Sequence, residues 1–227
     1  MTHAALTFDL SPFRLSGVEY AALLNHAPQL AALGDAAHQP PCKAPPQAPV
    51  LAVKPRNTLA RDGDMVVVPA GHAALAMGAS LAVVIGRTAC RVPLASALAV
   101  VAGYTIANML SLPLASHHRL AVRLMARDGF CPLGPSITPA AQVPAPDALA
   151  VAVQIDGVTA WQGSTGQGVR SVAHLIADVT EFMTLQPGDV LLLGVAAGAP
   201  LGRAGQQASI TIEDLGCLTN GLIAEIA

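Results

Sequence analysis

The chain has 227 residues, of which 53% are hydrophobic and 11% are charged, and its formal net charge at pH 7 is -2. A chain of this length and composition can bury a sizeable core, in one large domain or two small ones, which argues against a disordered protein. Its 12 Lys and Arg residues are spread thinly and form no basic stripe, so we do not expect a nucleic-acid partner.

The cysteines and the hydropathy pattern indicate a compartment. The four cysteines form no C-x-x-C pair, and the first ten residues lack the basic region of a secretory leader, which favours a reducing cytoplasm. Residues 92–116 are uncharged over a length that could cross a membrane, but prolines and polar residues interrupt them. We therefore predict no membrane span.

The N-terminal residues 1–45 are predicted to form a small strand, helix and connector unit that precedes the main domain, residues 46–227. Residues 17–26 begin with a strand pattern, and residues 28–37 follow as a short helix with a proline near its start. Residues 39–49 are a proline-rich connector, because proline fixes the backbone and removes hydrogen-bond donors.

The middle of the chain alternates between strand and helix patterns. Residues 50–58 and residues 80–86 each predict a buried strand, while residues 93–103 have helical spacing with proline at a tolerated first position. Residues 149–156 alternate as a strand that leads into an Asp156-Gly157 turn, which predicts a hairpin.

One amphipathic helix is predicted before the C-terminal strands. Residues 169–183 place five apolar side chains on one face that should pack on a sheet, and these are Val172, Leu175, Ile176, Val179 and Phe182. Short strands follow at residues 190–194, 208–213 and 222–227. The pattern as a whole predicts a mixed α+β fold that is dominated by strands and has few helices.

Several common catalytic motifs are absent. The chain has only two lysines, Lys43 and Lys54, and neither follows a glycine, which excludes a P-loop. There is also no G-x-G-x-x-G after a strand, no H-E-x-x-H and no G-x-S-x-G. The sequence therefore argues against P-loop and dinucleotide-binding enzymes, zinc proteases and serine hydrolases of these types.

A series of short phrases resembles the fumarylacetoacetate hydrolase family. The phrases are LNH at 24–26, VKPRNT at 53–58, SLAVVIGR at 80–87, GYTIANMLS at 103–111, RDGFCPLGP at 127–135 and LQPGDVLLLG at 185–194. Each is weak alone, but their order covers nearly the whole chain. The phrases KAPP and RDGFCP are similar to one subgroup, the N-terminal half of a two-repeat enzyme that acts late in 4-hydroxyphenylacetate breakdown.

The resemblance implies a β-roll with peripheral helices, usually dimeric, that uses Mg²⁺ or Mn²⁺ on small oxo-dicarboxylates or oxo-tricarboxylates. The reactions of the subgroup are the decarboxylation of 5-oxopent-3-ene-1,2,5-tricarboxylate and the isomerisation of 2-hydroxyhepta-2,4-diene-1,7-dioate. A hard divalent cation held by carboxylates would stabilise the enolate that such reactions form.

The family's chemistry-bearing residues are replaced at six positions of this chain. Its E-x-E pair of ligands corresponds to Gly78 and Ser80, and its aspartate ligand to Met109. Its lysine corresponds to Met125, and its His and Glu dyad on a lid helix to Gln29 and Ala32. Because a thioether is a poor ligand for Mg²⁺, we expect no metal cofactor in this chain.

Other polar residues are candidates for binding substrate. The resemblance implies this role for residues of the KPRN phrase and for residues of the segment 108–128. These are Lys54, Arg56, Asn57, Asn108, Arg119, Arg123 and Asp128. Ordinary surface charge, or a turn at Asp128, would explain the same pattern. The cationic run from His117 to Arg127 would bind a dicarboxylate through guanidinium groups, or else form a solvated helix face.

Two functions from different classes follow. The chain is either a subunit of the decarboxylase/isomerase, working as a homodimer or with a second chain that supplies an intact metal site, or a non-catalytic scaffold or binder of small dicarboxylates on the same fold.

Overall fold

A computed structural model describes residue 15 and residues 18–40, 43–113 and 122–226. The strands in chain order are β1 Val18–Leu23, β2 Val50–Pro55, β3 Leu59–Ala60, β4 Met65–Val68, β5 Leu75–Ala76, β6 Ala79–Ile85, β7 Val101–Asn108, β8 Cys131–Pro132, β9 Thr138–Pro139, β10 Ala150–Ile155, β11 Val158–Ser164, β12 Val190–Leu192, β13 Leu201–Gly202, β14 Gln207–Ile212 and β15 Gly216–Ala224. The helices are α1 Ala27–Ala32, α2 Val122–Met125 and α3 Val172–Phe182. The predicted class, a strand-dominated mixed fold, is confirmed.

Two large sheets face each other. The first has six strands in the order β2-β1-β12-β6-β7-β9, and the second has five in the order β11-β10-β14-β15-β4. The pairs β13-β5 and β3-β8 form two small sheets beside them. Because apolar side chains from both large sheets meet in one cluster, the main core lies between the sheets.

Strand β6 shows why the first sheet is covered on both faces. All of its residues are buried, as expected of a continuous apolar run in a central strand. Leu81, Val83 and Ile85 point into the core between the sheets, whereas Ala82 and Val84 point into a second, smaller core on the opposite face. That second core also contains Met109 and residues near the candidate site described below.

The N-terminal strand belongs to the first sheet. β1 pairs with β2 in antiparallel orientation and with β12 in parallel orientation, so residues 18–23 lie inside the sheet of the main domain. The proposed boundary near residue 45 stays a prediction. Residues 43–49 contain neither helix nor strand, which agrees with the connector predicted there.

Most predicted elements are present. The hairpin of β10 and β11 turns at Asp156 and Gly157, which both have positive φ, as a tight two-residue hairpin turn requires. Helix α1 begins with proline in its first turn, as predicted. No helix in the described ranges is long and apolar enough to cross a membrane.

Two predictions were wrong in part. The segment 93–103 forms a 3₁₀ helix only over Leu94–Val100, and β7 begins directly after it, because Gly103 is paired with β6 and β9 inside the sheet. Phe182 ends α3 with 65% of its surface exposed, while the four other apolar residues of that face are buried. The apolar face predicted from the 3.6-residue helical period therefore extends one turn further along α3 than the face that is buried.

The N-terminus of α3 allows a direct test of this local structure. The Ser171 hydroxyl accepts a hydrogen bond from the His174 backbone N–H at 3.2 Å. Ser171→Ala removes this cap and should lower the free energy of unfolding by about 1 kcal/mol, measured by urea denaturation. Ser171→Asp keeps an acceptor at the cap and should retain the parent stability, and equal losses in both variants would contradict the capping role.

Candidate functional site

Four of the six substituted family positions border one cavity of about 180 Å³. These are Gln29 on α1, Gly78 before β6, Met109 after β7 and Met125 at the end of α2. The rest of the wall is formed by Leu23, Leu24, Ala76, Ser111, Val195, Ala196, Gly198 and Ala199. The fold therefore gathers residues that are far apart in sequence around one space, and none of them carries a charge.

The wall at Gly78 is closed by the neighbouring strand. The Gly78 backbone N–H donates to Oδ1 of Asn108 at 2.9 Å, and the Met109 N–H donates to the Gly78 carbonyl at 2.8 Å. A Cβ atom on Gly78 would lie 2.3 Å from the Met109 carbonyl oxygen. Any side chain at residue 78, including the glutamate of the family pattern, would require the backbone to move.

Ser80 and Ala32, the other two positions, lie elsewhere. Ser80 borders a smaller cavity of about 40 Å³, where its hydroxyl accepts a hydrogen bond from the Gly194 N–H at 3.1 Å. Ala32 is the last residue of α1 and is exposed, outside the wall of either cavity.

The residues at the ligand positions do not fit Mg²⁺ or Mn²⁺. Gly78 has no side chain, Ser80 offers one hydroxyl and Met109 a buried thioether, whereas these hard cations prefer several carboxylate or carbonyl oxygens. Among the described residues, no three His, Cys, Asp or Glu side chains are grouped so that they could hold a metal ion.

Lys54 lies in the interior and does not line either cavity, and its predicted role in substrate binding stays a prediction. Its side chain has 0% exposure, and its Nζ donates to the carbonyl oxygens of Leu110 at 2.8 Å, Met125 at 2.6 Å and Phe130 at 2.9 Å. All three ammonium hydrogens are thereby used. Lys54 connects the segments that carry Met109 and Met125, so it shapes the wall without contacting the cavity.

A buried carboxylate lies across from Lys54. Glu19 of β1 stands directly opposite Lys54 of β2 in the antiparallel register and also has 0% exposure. Neither of its carboxylate oxygens has a hydrogen-bond partner within the described part of the chain. Burial raises the pKa of Glu19 from 4.5 to about 8, although the charge of Lys54 acts in the opposite direction.

The pKa of Lys54 changes in the opposite sense. Burial lowers it from 10.5 to about 8, against the opposing influence of Cys131 and Glu19. The two groups therefore form a buried and weakly compensated pair. The signal in the sequence was a single acidic residue within the apolar run VEYAAL, which sequence reasoning did not single out.

The Asn108 side chain is also buried and hydrogen-bonded within the fold. Its side chain is 2% exposed, and its amide contacts the Gly78 N–H and the Met77 sulfur, at 2.9 and 3.8 Å. The substrate-binding role predicted for Asn108 stays a prediction, but its oxygen is already used as an acceptor in the closed strand pair.

The other predicted substrate residues are brought together in part. Asn57 donates to Oδ1 of Asp128 at 2.8 Å and to the Ala126 carbonyl at 3.2 Å, which joins the KPRN and RDGF phrases. Arg56, Asn57 and Asp128 are exposed, and so is Arg123 on α2. None of these four lines either cavity described above, and Arg119 lies outside the described residues.

Asn25 and His26 of the LNH phrase hold the smaller cavity together. The Asn25 amide donates to the Leu193 carbonyl at 2.8 Å, and Nδ1 of His26 accepts from the Ala197 N–H at 3.1 Å. Their contacts fix the loop after β12, which also forms part of the larger cavity wall. The phrase was recognised in the sequence, but this bridging role was not.

Comparison with known proteins places this geometry in a family. Residues 19–223 match the family model described as fumarylacetoacetate (FAA) hydrolase C-terminal. The chain belongs to the fumarylacetoacetate hydrolase family. The resemblance inferred from the motifs is therefore confirmed.

Individual relatives of this hydrolase-family chain give more detail. It is 39% identical over 211 residues to the 4-hydroxyphenylacetate degradation bifunctional isomerase/decarboxylase of Salmonella dublin, covering 93% of this chain and 48% of that protein. The chain thus spans about half the length of that relative.

Solved structures confirm the fold. The 5-carboxymethyl-2-hydroxymuconate delta-isomerase of Mycobacterium smegmatis is similar with a TM-score of 0.77 and 28% identity, over 94% of this chain and 81% of that one. The fumarylpyruvate hydrolase of Pseudomonas aeruginosa, solved with Mn²⁺ and pyruvate, has a TM-score of 0.82 over 98% and 97% of the two chains. At 24% identity, the second likeness concerns the fold alone.

The closed wall at Gly78 can be tested by adding one methyl group. Gly78→Ala should lower the free energy of unfolding by about 2–3 kcal/mol, because the new Cβ meets a backbone carbonyl that cannot rotate away. Ala196→Ser adds one atom to a residue that borders both cavities, so it should cost less than about 0.5 kcal/mol. Urea unfolding measures both, and an unchanged midpoint for Gly78→Ala would show that the strand pair is open.

The buried carboxyl predicts a dependence of stability on pH. Because the pKa of Glu19 is higher in the folded than in the unfolded protein, the folded state binds more protons between pH 4.5 and about 8, and stability falls as pH rises through this window. Glu19→Gln should remove up to about 1.4 kcal/mol per pH unit of this decline.

Urea denaturation at several pH values within that window measures the difference between parent and variant. Glu181→Gln makes the same chemical change at an exposed residue of α3 and should leave the decline as it is in the parent. Parallel curves for the parent and Glu19→Gln would contradict a protonated, buried Glu19.

Proposed function

We propose that this chain is a subunit of 4-hydroxyphenylacetate catabolism, of the 5-oxopent-3-ene-1,2,5-tricarboxylate decarboxylase and 2-hydroxyhepta-2,4-diene-1,7-dioate isomerase type. In this proposal its own metal site is degenerate, and turnover depends on a partner chain that supplies an intact one. The relative from Salmonella dublin is named as a bifunctional isomerase/decarboxylase and is about twice as long as the matched region.

One observation carries the proposal. The chain matches the family model across residues 19–223, yet none of the described residues that line the cavity at the family's ligand positions is a carboxylate. Such a wall has no negative charge with which to bind a doubly charged cation. A half of a two-part enzyme that works beside a catalytic half would keep the family fold without keeping the metal ligands.

In such a pair, the residues of this chain would have structural roles. Lys54 connects two segments of the cavity wall, at Leu110 and Met125, to the segment at Phe130, and Asn57 joins the KPRN loop to the RDGF loop. These bonds stabilise the fold without contacting a reacting atom. In the proposal, this chain contributes a stable surface for assembly, and the partner contributes the carboxylates and the Mg²⁺ or Mn²⁺.

A second function is a non-catalytic binder of small dicarboxylates. Arg123 is exposed at α2, next to Met125 on the cavity wall, and an exposed guanidinium could bind a carboxylate. Against this, the part of the cavity wall that the structure describes offers no cation to pair with an anion.

The experiment that separates these functions compares three samples: this chain alone, a family chain that keeps the E-x-E and N-D-x-S phrases alone, and the two mixed. We expect the isolated chain to bind no Mn²⁺ and to convert neither the tricarboxylate nor the dienedioate, and the mixture to turn over faster than the metal-binding chain alone. Metal analysis and absorbance of the conjugated diene are the readouts.

The matched control replaces both glutamates of the partner's E-x-E by glutamine, which should abolish the activity of the mixture. Turnover by this chain alone, with one bound metal ion, would refute a degenerate site. A mixture no faster than the partner alone, combined with binding of oxalate by this chain, would favour the non-catalytic binder.

A further inference from the structure

We propose that the cavity bordered by Gly78, Met109 and Met125 is a binding site for a small uncharged ligand, mainly apolar and about the size of a benzene ring. This goes beyond the subunit role, since it assigns to the cavity a ligand class different from the charged oxo acids. The argument depends on the volume of the cavity and on the chemistry of its wall.

The volume is sufficient for such a ligand. The cavity measures about 180 Å³. An apolar cavity of about 150 Å³ engineered in another protein stays dry and binds benzene, so a six-membered ring with a substituent of about three heavy atoms is the appropriate size here.

The backbone polar groups are paired on the side of the wall formed by residues 76, 78 and 111. The Ala76 N–H donates to the Ser111 carbonyl, and the Ser111 N–H donates to the Ala76 carbonyl, at 2.8 and 3.4 Å. The Gly78 N–H and carbonyl are bonded to Asn108 and Met109. A ligand therefore meets the apolar surfaces of these segments and not their amides.

Two polar side chains belong to the wall. The Ser111 hydroxyl and the Gln29 amide border the cavity, and neither has a hydrogen-bond partner among the residues that the structure describes. Each can donate to or accept from a single polar atom of a ligand. The wall thus suits a neutral molecule with one or two polar atoms.

A charged ligand is disfavoured by the same wall. Among the residues that the structure describes, no Lys, Arg or His borders the cavity, and Lys54 of β2 gives its three hydrogens to carbonyl oxygens of neighbouring segments. A carboxylate that entered would lose its hydration and gain at most the neutral donors of Ser111 and Gln29, with no cationic partner, which costs several kcal/mol. Neutral molecules should therefore bind better than anions of the same shape.

Benzamide and benzoate test this preference, because they have nearly the same shape and differ in charge. The chain is labelled with ¹³C at its methionine methyl groups, and each probe is titrated while the methyl signals are recorded by NMR. Met109 and Met125 report on the cavity, and Met65, exposed on β4 of the other sheet, serves as the internal control.

We expect benzamide to shift the Met109 and Met125 signals saturably, with a dissociation constant at least about tenfold lower than that of benzoate. The Met65 signal should not move. Equal or tighter binding of benzoate, or no response of Met109 and Met125 to benzamide, would overturn the proposal.

Two variants connect the signal to the cavity. Ala199→Phe fills the space from its loop wall and should weaken benzamide at least about tenfold, whereas Ala150→Phe, at an exposed position on β10, should not. Met125→Lys introduces a cation and should reverse the preference in favour of benzoate, read from the Met109 signal. Unchanged benzamide affinity in folded Ala199→Phe would place the binding elsewhere and refute the assignment.

Discussion

The close approach of Gly78 to the end of β7 is the constraint on which the candidate site depends. The Gly78 N–H donates to the side-chain oxygen of Asn108, and the Gly78 carbonyl accepts from the Met109 N–H. There is no room for a Cβ atom between Gly78 and the Met109 carbonyl. The same contact explains why Asn108 points its amide back into the fold. At the position that corresponds to the family's first glutamate ligand, the backbone is held against residues 108 and 109, so a carboxylate cannot be introduced there by changing one side chain without moving the backbone.

A second constraint stabilises the other side of the cavity. A buried ammonium is costly unless its hydrogens are bonded, and Lys54 meets this requirement with three backbone carbonyls from segments around Leu110, Met125 and Phe130. Glu19 lies opposite it across the strand pair, with its pKa raised to about 8 by burial. Lys54 therefore stabilises the framework of the site, and the described cavity wall is mainly apolar, with Gln29 and Ser111 as its polar side chains.

The sequence predicted well what depends on local patterns. The buried strand β6 follows from an unbroken apolar run, the β10–β11 hairpin from Asp156-Gly157, and the family from the order of its phrases. It also predicted that the ligand positions lack carboxylates, because that is a statement of residue identity. It did not predict where each polar group points, since this depends on packing between distant segments.

Lys54 and Asn57 show the limit most clearly. They are three residues apart in one phrase, yet the first is fully buried and the second is exposed and bonded to Asp128, 71 residues away. The segment 93–103 shows the same limit for secondary structure, because pairing of Gly103 within the sheet overrode a helical pattern. The gathering of Gln29, Gly78, Met109 and Met125 around one uncharged space likewise required the tertiary fold.

The most direct measurement is a crystal structure of this chain soaked with Mn²⁺ and oxalate, with anomalous diffraction recorded to locate the metal. The closed, carboxylate-free wall predicts no anomalous peak beside Gly78, Ser80 and Met109. A peak there, with oxygen ligands at the short distances typical of Mn²⁺, would contradict the account, because it would require the strand pair to open and other residues to replace the missing carboxylates.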